Sequence, residues 1–188
     1  MFNYFFIMSK NILIISGSPR KNGNSEILCN EFAKGAKENG NNVEMIRLAE
    51  KNIDFARTCE TCCKNEVCSC NQKDDVAGII QKMIDADVIV LSTPTYFYGM
   101  SAQLKALIDR TAERYREIKS KEFYYIVAGA DTRKSALERV VDQLKGFTTW
   151  CLDNPIEKGQ VIATGVWKIG DVENTKFVEE AYNLGKKA

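Results

Sequence analysis

Ile12-Leu13-Ile14-Ile15-Ser16-Gly17-Ser18-Pro19-Arg20-Lys21-Asn22-Gly23-Asn24-Ser25 is the stretch that decides the fold. Its four apolar residues read as a buried strand. A loop rich in Gly and hydroxyls follows, and then a helix whose apolar positions are Leu28, Phe32 and Ala36. Strand, glycine loop and helix N-terminus together make an anion site, because unpaired backbone N–H groups and the positive end of the helix dipole face the same point. Ser18, Asn22, Asn24 and Ser25 add polar side chains there, and Arg20 adds a charged fork. The plainer alternative is a strand–helix turn whose Ser and Asn only cap the helix.

The spacing narrows the anion. A Walker A loop has four residues between its glycines, then Lys and Ser/Thr. Here five residues separate Gly17 from Gly23, and Asn24 stands where the lysine would be. A dinucleotide fingerprint needs G-x-G-x-x-G, and Pro19 occupies the place of its second glycine. A monophosphate suits the loop better.

Strand-like runs recur at Val43–Leu48, Val88–Leu91, Phe123–Ala128 and Val161–Thr164. Between them, apolar residues recur at helical spacing: Val76, Ile79, Ile80 and Met83; Leu104, Leu107, Ile108, Tyr115 and Ile118, read as one long helix; Leu137 through Phe147 to Cys151; and Phe177, Val178, Ala181 and Tyr182. Strands alternating with helices predict an α/β protein, an open parallel sheet with helices on both faces. Ligands of such sheets bind beyond the C-terminal strand ends. Besides the first loop, that edge receives Ser92–Ser101 and Gly129–Thr132. In the second, Pro94 ends the strand, Thr95, Tyr96, Phe97 and Tyr98 follow, and Gly99 permits a turn with positive φ. Aromatic faces beside backbone N–H groups suit a flat heteroaromatic ring. With a monophosphate loop alongside, the ligand expected is FMN. The alternative is that the aromatics only plug the sheet end or line a subunit contact.

Composition removes other classes. The 188 residues are 45% hydrophobic and fit one domain. A net charge of +1 gives no case for nucleic acid or an anionic membrane. No apolar run approaches the ~20 residues of a membrane-spanning helix. Histidine is absent, which removes Ser-His and Cys-His nucleophiles, His metal ligands and His acid–base catalysis. Met1–Met8 is apolar without a cationic flank or cleavage site, so residues 1–9 read as a short extension ahead of a domain at 10–188, or as a segment that packs on a partner. A chain without a secretion signal is expected in the cytoplasm.

Two motifs then carry a family resemblance. Gly17-Ser18-Pro19-Arg20-x-x-Gly23-Asn24-Ser25 and Pro94-Thr95-Tyr96-Phe97-Tyr98-Gly99-Met100-Ser101-Ala102-Gln103-Leu104-Lys105-x-x-x-Asp109-Arg110 resemble the NADPH-dependent FMN reductase family, and within it the iron–sulfur flavoprotein branch. The likeness extends to Gly165-x-x-x-x-Gly170-Asp171. It implies a flavodoxin-like fold with strand order 2-1-3-4-5, non-covalent FMN, NAD(P)H as cosubstrate and a homodimer or homotetramer. It assigns Ser18, Arg20, Asn22, Asn24 and Ser25 to the phosphate. Pro94, Thr95, Tyr96, Phe97, Tyr98 and Gly99 go to the ring and ribityl chain, and Gly129, with Asp131, goes to the far side of the ring. Backbone N–H groups of the Gly129 loop are expected at the ring edge that becomes anionic on reduction.

Five of the seven cysteines, Cys59, Cys62, Cys63, Cys68 and Cys70, lie in an insertion at about 55–73. In a cytosolic chain, clustered thiols point to metal, cluster or redox work. The resemblance implies a [4Fe–4S] cluster on four cysteines. Cys59-x-x-Cys62 matches the branch pattern, but Asn65 stands at the third ligand's place. Cys59, Cys62, Cys68 and Cys70 are the ligand set expected, with Cys63 as a rival. Four-thiolate zinc and redox-active, disulfide-linked or idle thiols are the alternatives. Cys29 and Cys151 read as core or silent thiols. The function expected is electron transfer from NAD(P)H to a small acceptor such as a flavin, quinone, nitro or azo compound. The alternative is a carrier taking electrons from a ferredoxin-like protein through the cluster to FMN.

Overall fold

The computed structural model describes residues 9–57 and 72–188. Residues 1–8 and the five clustered cysteines lie outside them, so the readings of the N-terminal extension and of the metal ligands fall outside the described residues. The elements run β1 (Asn11–Ser16), α1 (Asn24–Glu38), β2 (Asn42–Arg47), α2 (Val76–Asp85), β3 (Val88–Pro94), α3 (Ala102–Arg110), β4 (Glu122–Ala128), α4 (Lys134–Cys151), β5 (Ile156–Ala163) and α5 (Lys176–Gly185). The sheet has the order β2-β1-β3-β4-β5, and every pairing is parallel. This is the expected topology.

Side-chain alternation divides the core into two layers. Leu13, Ile15, Ile89, Leu91, Phe123, Tyr125 and Val127 pack toward α2, α3 and α4. Ile12, Ile14, Val88, Val90, Tyr124, Ile126 and Ala128 pack toward α1 and α5. The central strands are apolar at nearly every position because both faces are covered. The α1–α5 contact is close backbone to backbone. A Cβ on Gly35 would stand 2.1 Å from the Tyr182 carbonyl oxygen, and one on Gly185 2.0 Å from that of Phe32. These two glycines let α5 seat α1, whose N-terminus carries the first loop.

Two boundaries depart from the sequence reading. β5 begins at Ile156, ahead of the expected Val161, because its first half is a solvent-exposed edge with polar residues. The long helix expected through Ile118 stops at Arg110, and 3₁₀ turns cover 111–113 and 115–117. The Thr111 hydroxyl donates to the Ile108 carbonyl (2.7 Å), a local bond that competes with helix continuation.

Arg110 closes α3 on a buried ion pair. Its side chain is 5% exposed and that of Asp74 is 1% exposed. Its Nη1 donates to Asp74 Oδ2 (2.5 Å) and the Asp54 carbonyl (3.1 Å), and its Nη2 donates to Asp74 Oδ1 (3.2 Å). The Asp54 and Val76 N–H groups also donate to the Asp74 carboxylate. Arg110 thus ties residue 54 to residue 74 and both to the helix that starts beside the second loop. Burial alone would raise the Asp74 carboxyl, but Arg110 and the two N–H donors outweigh it and hold it below the usual carboxylate range. A lowered folded value means that its stabilisation is present at neutral pH and is lost as pH falls through that value. In Arg110→Met the carboxylate stays buried without its guanidinium, so its folded value rises above the unfolded one. We expect chemical denaturation to show a loss of about 3–5 kcal/mol at neutral pH. The gap to the native protein should narrow on acidification toward pH ~4. A gap independent of pH would mean that the pair contributes packing only.

Candidate functional site

Strand register sets the site. Ser16 pairs with Ser92, Pro94 with Ala128, and Ala128 with Ala163, so four strands end along one edge. A crevice of about 110 Å³ opens there. The first loop contributes Ser18, Arg20, Gly23, Asn24 and Ser25, the second Pro94, Thr95 and Tyr96, the third Gly129 and Ala130, and the loop after β5 Val166 and Trp167. Larger hollows lie elsewhere. One of about 630 Å³ runs between β1, β2 and α2 and includes Asn11, Asn42 and Lys82. Another, of about 590 Å³, lies between α3 and α4. Neither gathers the loops at the C-terminal strand ends, where ligands of parallel sheets bind.

Close approach of the loops depends on glycine. A Cβ on Gly17 would stand 2.6 Å from Ser101 Oγ, and one on Gly129 3.0 Å from Thr95 Cβ and Oγ1. Helix α1 begins at Asn24 with Gly23 as N-cap, and no side chain caps it. This disposes of the reading in which Ser and Asn merely cap the helix. The Asn24 and Ser25 N–H groups, in the first turn of α1, have no intrahelical acceptor, and both residues line the crevice. The nearby Glu26 would repel an anion, but its carboxylate is engaged by Arg47 (Nε, 3.3 Å) and by the Asn22 N–H (2.8 Å).

The polar side chains divide into two kinds. Ser18 Oγ bridges within its own loop, accepting from the Arg20 N–H and donating to the Arg20 carbonyl, each at 3.3 Å. Asn24 ties the first loop to the last: its Nδ2 donates to the Lys168 carbonyl (2.9 Å), and its Oδ1 accepts from the Val172 N–H (3.2 Å). Arg20 reaches across the mouth, donating from Nη1 to the Trp167 carbonyl (3.1 Å). Thr95 Oγ1 is buried and has no hydrogen-bond partner among the described residues. An orphaned hydroxyl beside two orphaned N–H groups and a guanidinium is a donor set for a phosphorylated, hydroxyl-bearing ligand. On these observations the residues fit FMN.

Of the residues expected from the sequence, Ser18, Arg20, Asn24, Ser25, Pro94, Thr95, Tyr96 and Gly129 line the crevice. Asn22, Phe97, Tyr98 and Gly99 do not. Asn22 is exposed and left-handed, at φ 56°. Gly99 does not take the positive φ expected of it. Phe97 (49°) and Tyr98 (60°) do, within a turn closed by paired Tyr96 and Gly99 backbone bonds of 3.0 and 2.9 Å. Two bulky residues in that region store strain. Phe97 is fully exposed, and Tyr98 turns toward Asp131, to which its hydroxyl donates (3.2 Å). The Gly129 N–H is already given to the Ala163 carbonyl (2.9 Å), so among the N–H groups of this loop that one is not free for a ring edge.

Trp167 and Val166 escaped the residue-level reading; only the Gly165–Asp171 motif hinted at their loop. Asp171 shapes that loop by accepting from the Trp167 and Lys168 N–H groups, which hold its carboxyl below the usual range. Cys29 is fully buried, and burial pushes its thiol up to about 12, which removes it from nucleophilic or redox work. Cys151 is exposed at the end of α4 rather than in the core.

The sequence profile of the NADPH-dependent FMN reductase family matches residues 10–168. An iron–sulfur flavoprotein of Methanocaldococcus jannaschii is 36% identical over 186 residues, covering 94% of each chain. Another, from Archaeoglobus fulgidus, is 30% identical over 183 residues, covering 94% of this chain and 92% of its own. The solved structure of an NAD(P)H:quinone oxidoreductase from Methanothermobacter marburgensis superposes with a TM-score of 0.77 over 95% of this chain and 96% of its own; at 17% identity, that is a likeness of fold. The chain belongs to the NADPH-dependent FMN reductase family and resembles its iron–sulfur flavoprotein branch.

Proposed function

We propose that this protein is an FMN-dependent oxidoreductase that moves electrons from NAD(P)H to a small acceptor, of the flavin, quinone, nitro or azo class. The observation that carries the reading is the donor set at the crevice: the uncapped first turn of α1, the orphaned Thr95 hydroxyl and Arg20. The Asn24 and Ser25 N–H groups and Arg20 would hold the phosphate. Thr95 would take a ribityl hydroxyl or a phosphate oxygen. Tyr96 and Trp167 would flank the ring, with Pro94, Gly129 and Ala130 beneath it. Asn22, Phe97, Tyr98 and Gly99 shape or border the site in this reading, with Ser18 and Asn24 as the side chains that fix the loops. When bound, FMN supplies hydride acceptance at its N5 and one- or two-electron release. The protein supplies position, a preorganised anion site and aromatic surfaces that exclude water, and with no histidine present, no imidazole enters as acid or base. Assembly as a homodimer or homotetramer belongs to the same reading.

A second reading is an electron carrier that takes electrons from a ferredoxin-like protein through a cluster on Cys59, Cys62, Cys68 and Cys70 to FMN; the relatives' names support the cluster alone. Iron and acid-labile sulfide in protein purified without oxygen favour it.

Three outcomes test the leading reading. Arg20→Ala should weaken FMN binding by about 1.5–3 kcal/mol, the worth of a charged hydrogen bond, as read by fluorescence titration of apoprotein. Thr95→Val should weaken FMN binding by about 1 kcal/mol while leaving the apoprotein at least as stable, since it removes a buried hydroxyl that has no partner. A Thr95→Val apoprotein with lower stability and unchanged FMN affinity would take the hydroxyl out of the site. Anaerobic FMN-loaded protein should lose its ~450 nm absorbance within seconds of adding NADPH or NADH. Bleaching by reduced ferredoxin alone would favour the carrier.

A further inference from the structure

Beside the crevice lies a second, basic hollow. Tyr98, Arg133, Ser135, Ala136 and Arg139 enclose about 320 Å³ at the start of α4. Two short stretches of chain border both it and the crevice. Tyr98 belongs to the turn whose Tyr96 lines the crevice, and Arg133 follows by three residues Ala130, which also lines it.

The hollow is built for an anion. Arg133 is held as a planar fork before any ligand arrives: its Nε and Nη2 donate to Asp131 Oδ1 (3.0 Å) and Oδ2 (2.7 Å), and Nη2 also reaches Tyr98 Oη (3.4 Å). That pairing holds the Asp131 carboxyl well below the usual carboxylate range, so the fork persists at every physiological pH. Arg133 Nη1 has no hydrogen-bond partner among the described residues. Arg139 lies one turn beyond Ser135 and makes no ion pair among the described residues. Helix α4 has 18 residues, no acidic residue in its first turn, and Arg133 and Lys134 at its start. Asp131 already answers Arg133 (2.7 Å) and Glu138 answers Lys134 (3.7 Å), which leaves Arg139 as the cation of this group without a carboxylate partner among the described residues.

We propose that Arg133 and Arg139 receive a phosphate group of the dinucleotide electron donor, so that these two residues set affinity for NAD(P)H and its choice between NADPH and NADH. The inference rests on the reading in which NAD(P)H is the donor. Two phosphate sources share this chemistry, the 2′-phosphate carried by NADPH alone and the diphosphate common to both nucleotides. Bidentate guanidinium recognition suits either.

Calorimetric titration of FMN-loaded protein with adenosine 2′,5′-bisphosphate and with adenosine 5′-diphosphate tests it. Native protein should bind at least one of them, and Arg139→Gln should weaken that binding by about 10- to 100-fold at low ionic strength. Arg139→Lys should recover part of the loss. A loss confined to the 2′,5′-bisphosphate assigns the 2′-phosphate, and KM should then rise for NADPH and hold for NADH. A loss for both nucleotides assigns the diphosphate, and both KM values should rise. Binding unchanged in a folded Arg139→Gln protein, or no binding to native protein, overturns the proposal. If NADPH still bleaches the flavin in that case, the reductase reading stands without it. If neither NADPH nor NADH bleaches the flavin of native protein, the reductase reading fails and takes this proposal with it.

Discussion

The parallel register of β1, β3, β4 and β5 is the constraint on which the site depends. Strands that run the same way must send their outgoing loops to the same edge, and Ser16, Pro94, Ala128 and Ala163 end there together. Gly17 then lets the first loop pass against Ser101, the N-cap of α3, and Gly129 lets the third loop pass against Thr95. A sheet with the same residues and one reversed strand would send one of these loops to the opposite edge. The close seating of α1 on α5 through Gly35 and Gly185 fixes where the helix N-terminus points.

Electrostatics at that edge follow one scheme. Acidic residues near the two proposed phosphate sites are engaged, Glu26 by Arg47 and Asp131 by Arg133, while α1 is left without a side-chain cap. A folded protein that keeps a helix N-terminus uncapped and a threonine hydroxyl buried without a partner gives up stability at those points. Such local costs concentrate where a ligand completes the bonding, and the strained Phe97–Tyr98 turn lies at the same edge. Arg110 extends the scheme to the far end of α3, where it joins the two chain segments that flank the cysteine-rich insertion.

Much of this was legible in the sequence, for identifiable reasons. The runs Ile12–Ile15, Val88–Leu91 and Phe123–Ala128 are apolar because both sheet faces are covered, so burial itself wrote the strands. The edge strand β5 hid its first half because solvent permits Glu157, Lys158 and Gln160 there. Helical spacing carries α3 too far, since Tyr115 and Ile118 keep the period across the 3₁₀ turns that follow Arg110. The positive φ was expected at Gly99 on steric grounds, but the turn's pairing places it on Phe97 and Tyr98. Eight of the crevice residues are legible in the loop motifs, whereas Trp167 is not, because only the fold brings the loop after β5 to the same crevice as the first one. The Asn24 side chain, expected on the phosphate, is instead bound to the last loop.

The function proposed for this edge depends on a phosphate held at the first turn of α1. The direct measurement is the ratio of dissociation constants for FMN and riboflavin on the same apoprotein at one ionic strength. Two backbone N–H groups and a guanidinium on a dianion predict FMN binding at least ~100-fold tighter than riboflavin. Equal affinities would mean that the crevice does not hold the phosphate and would contradict the site described.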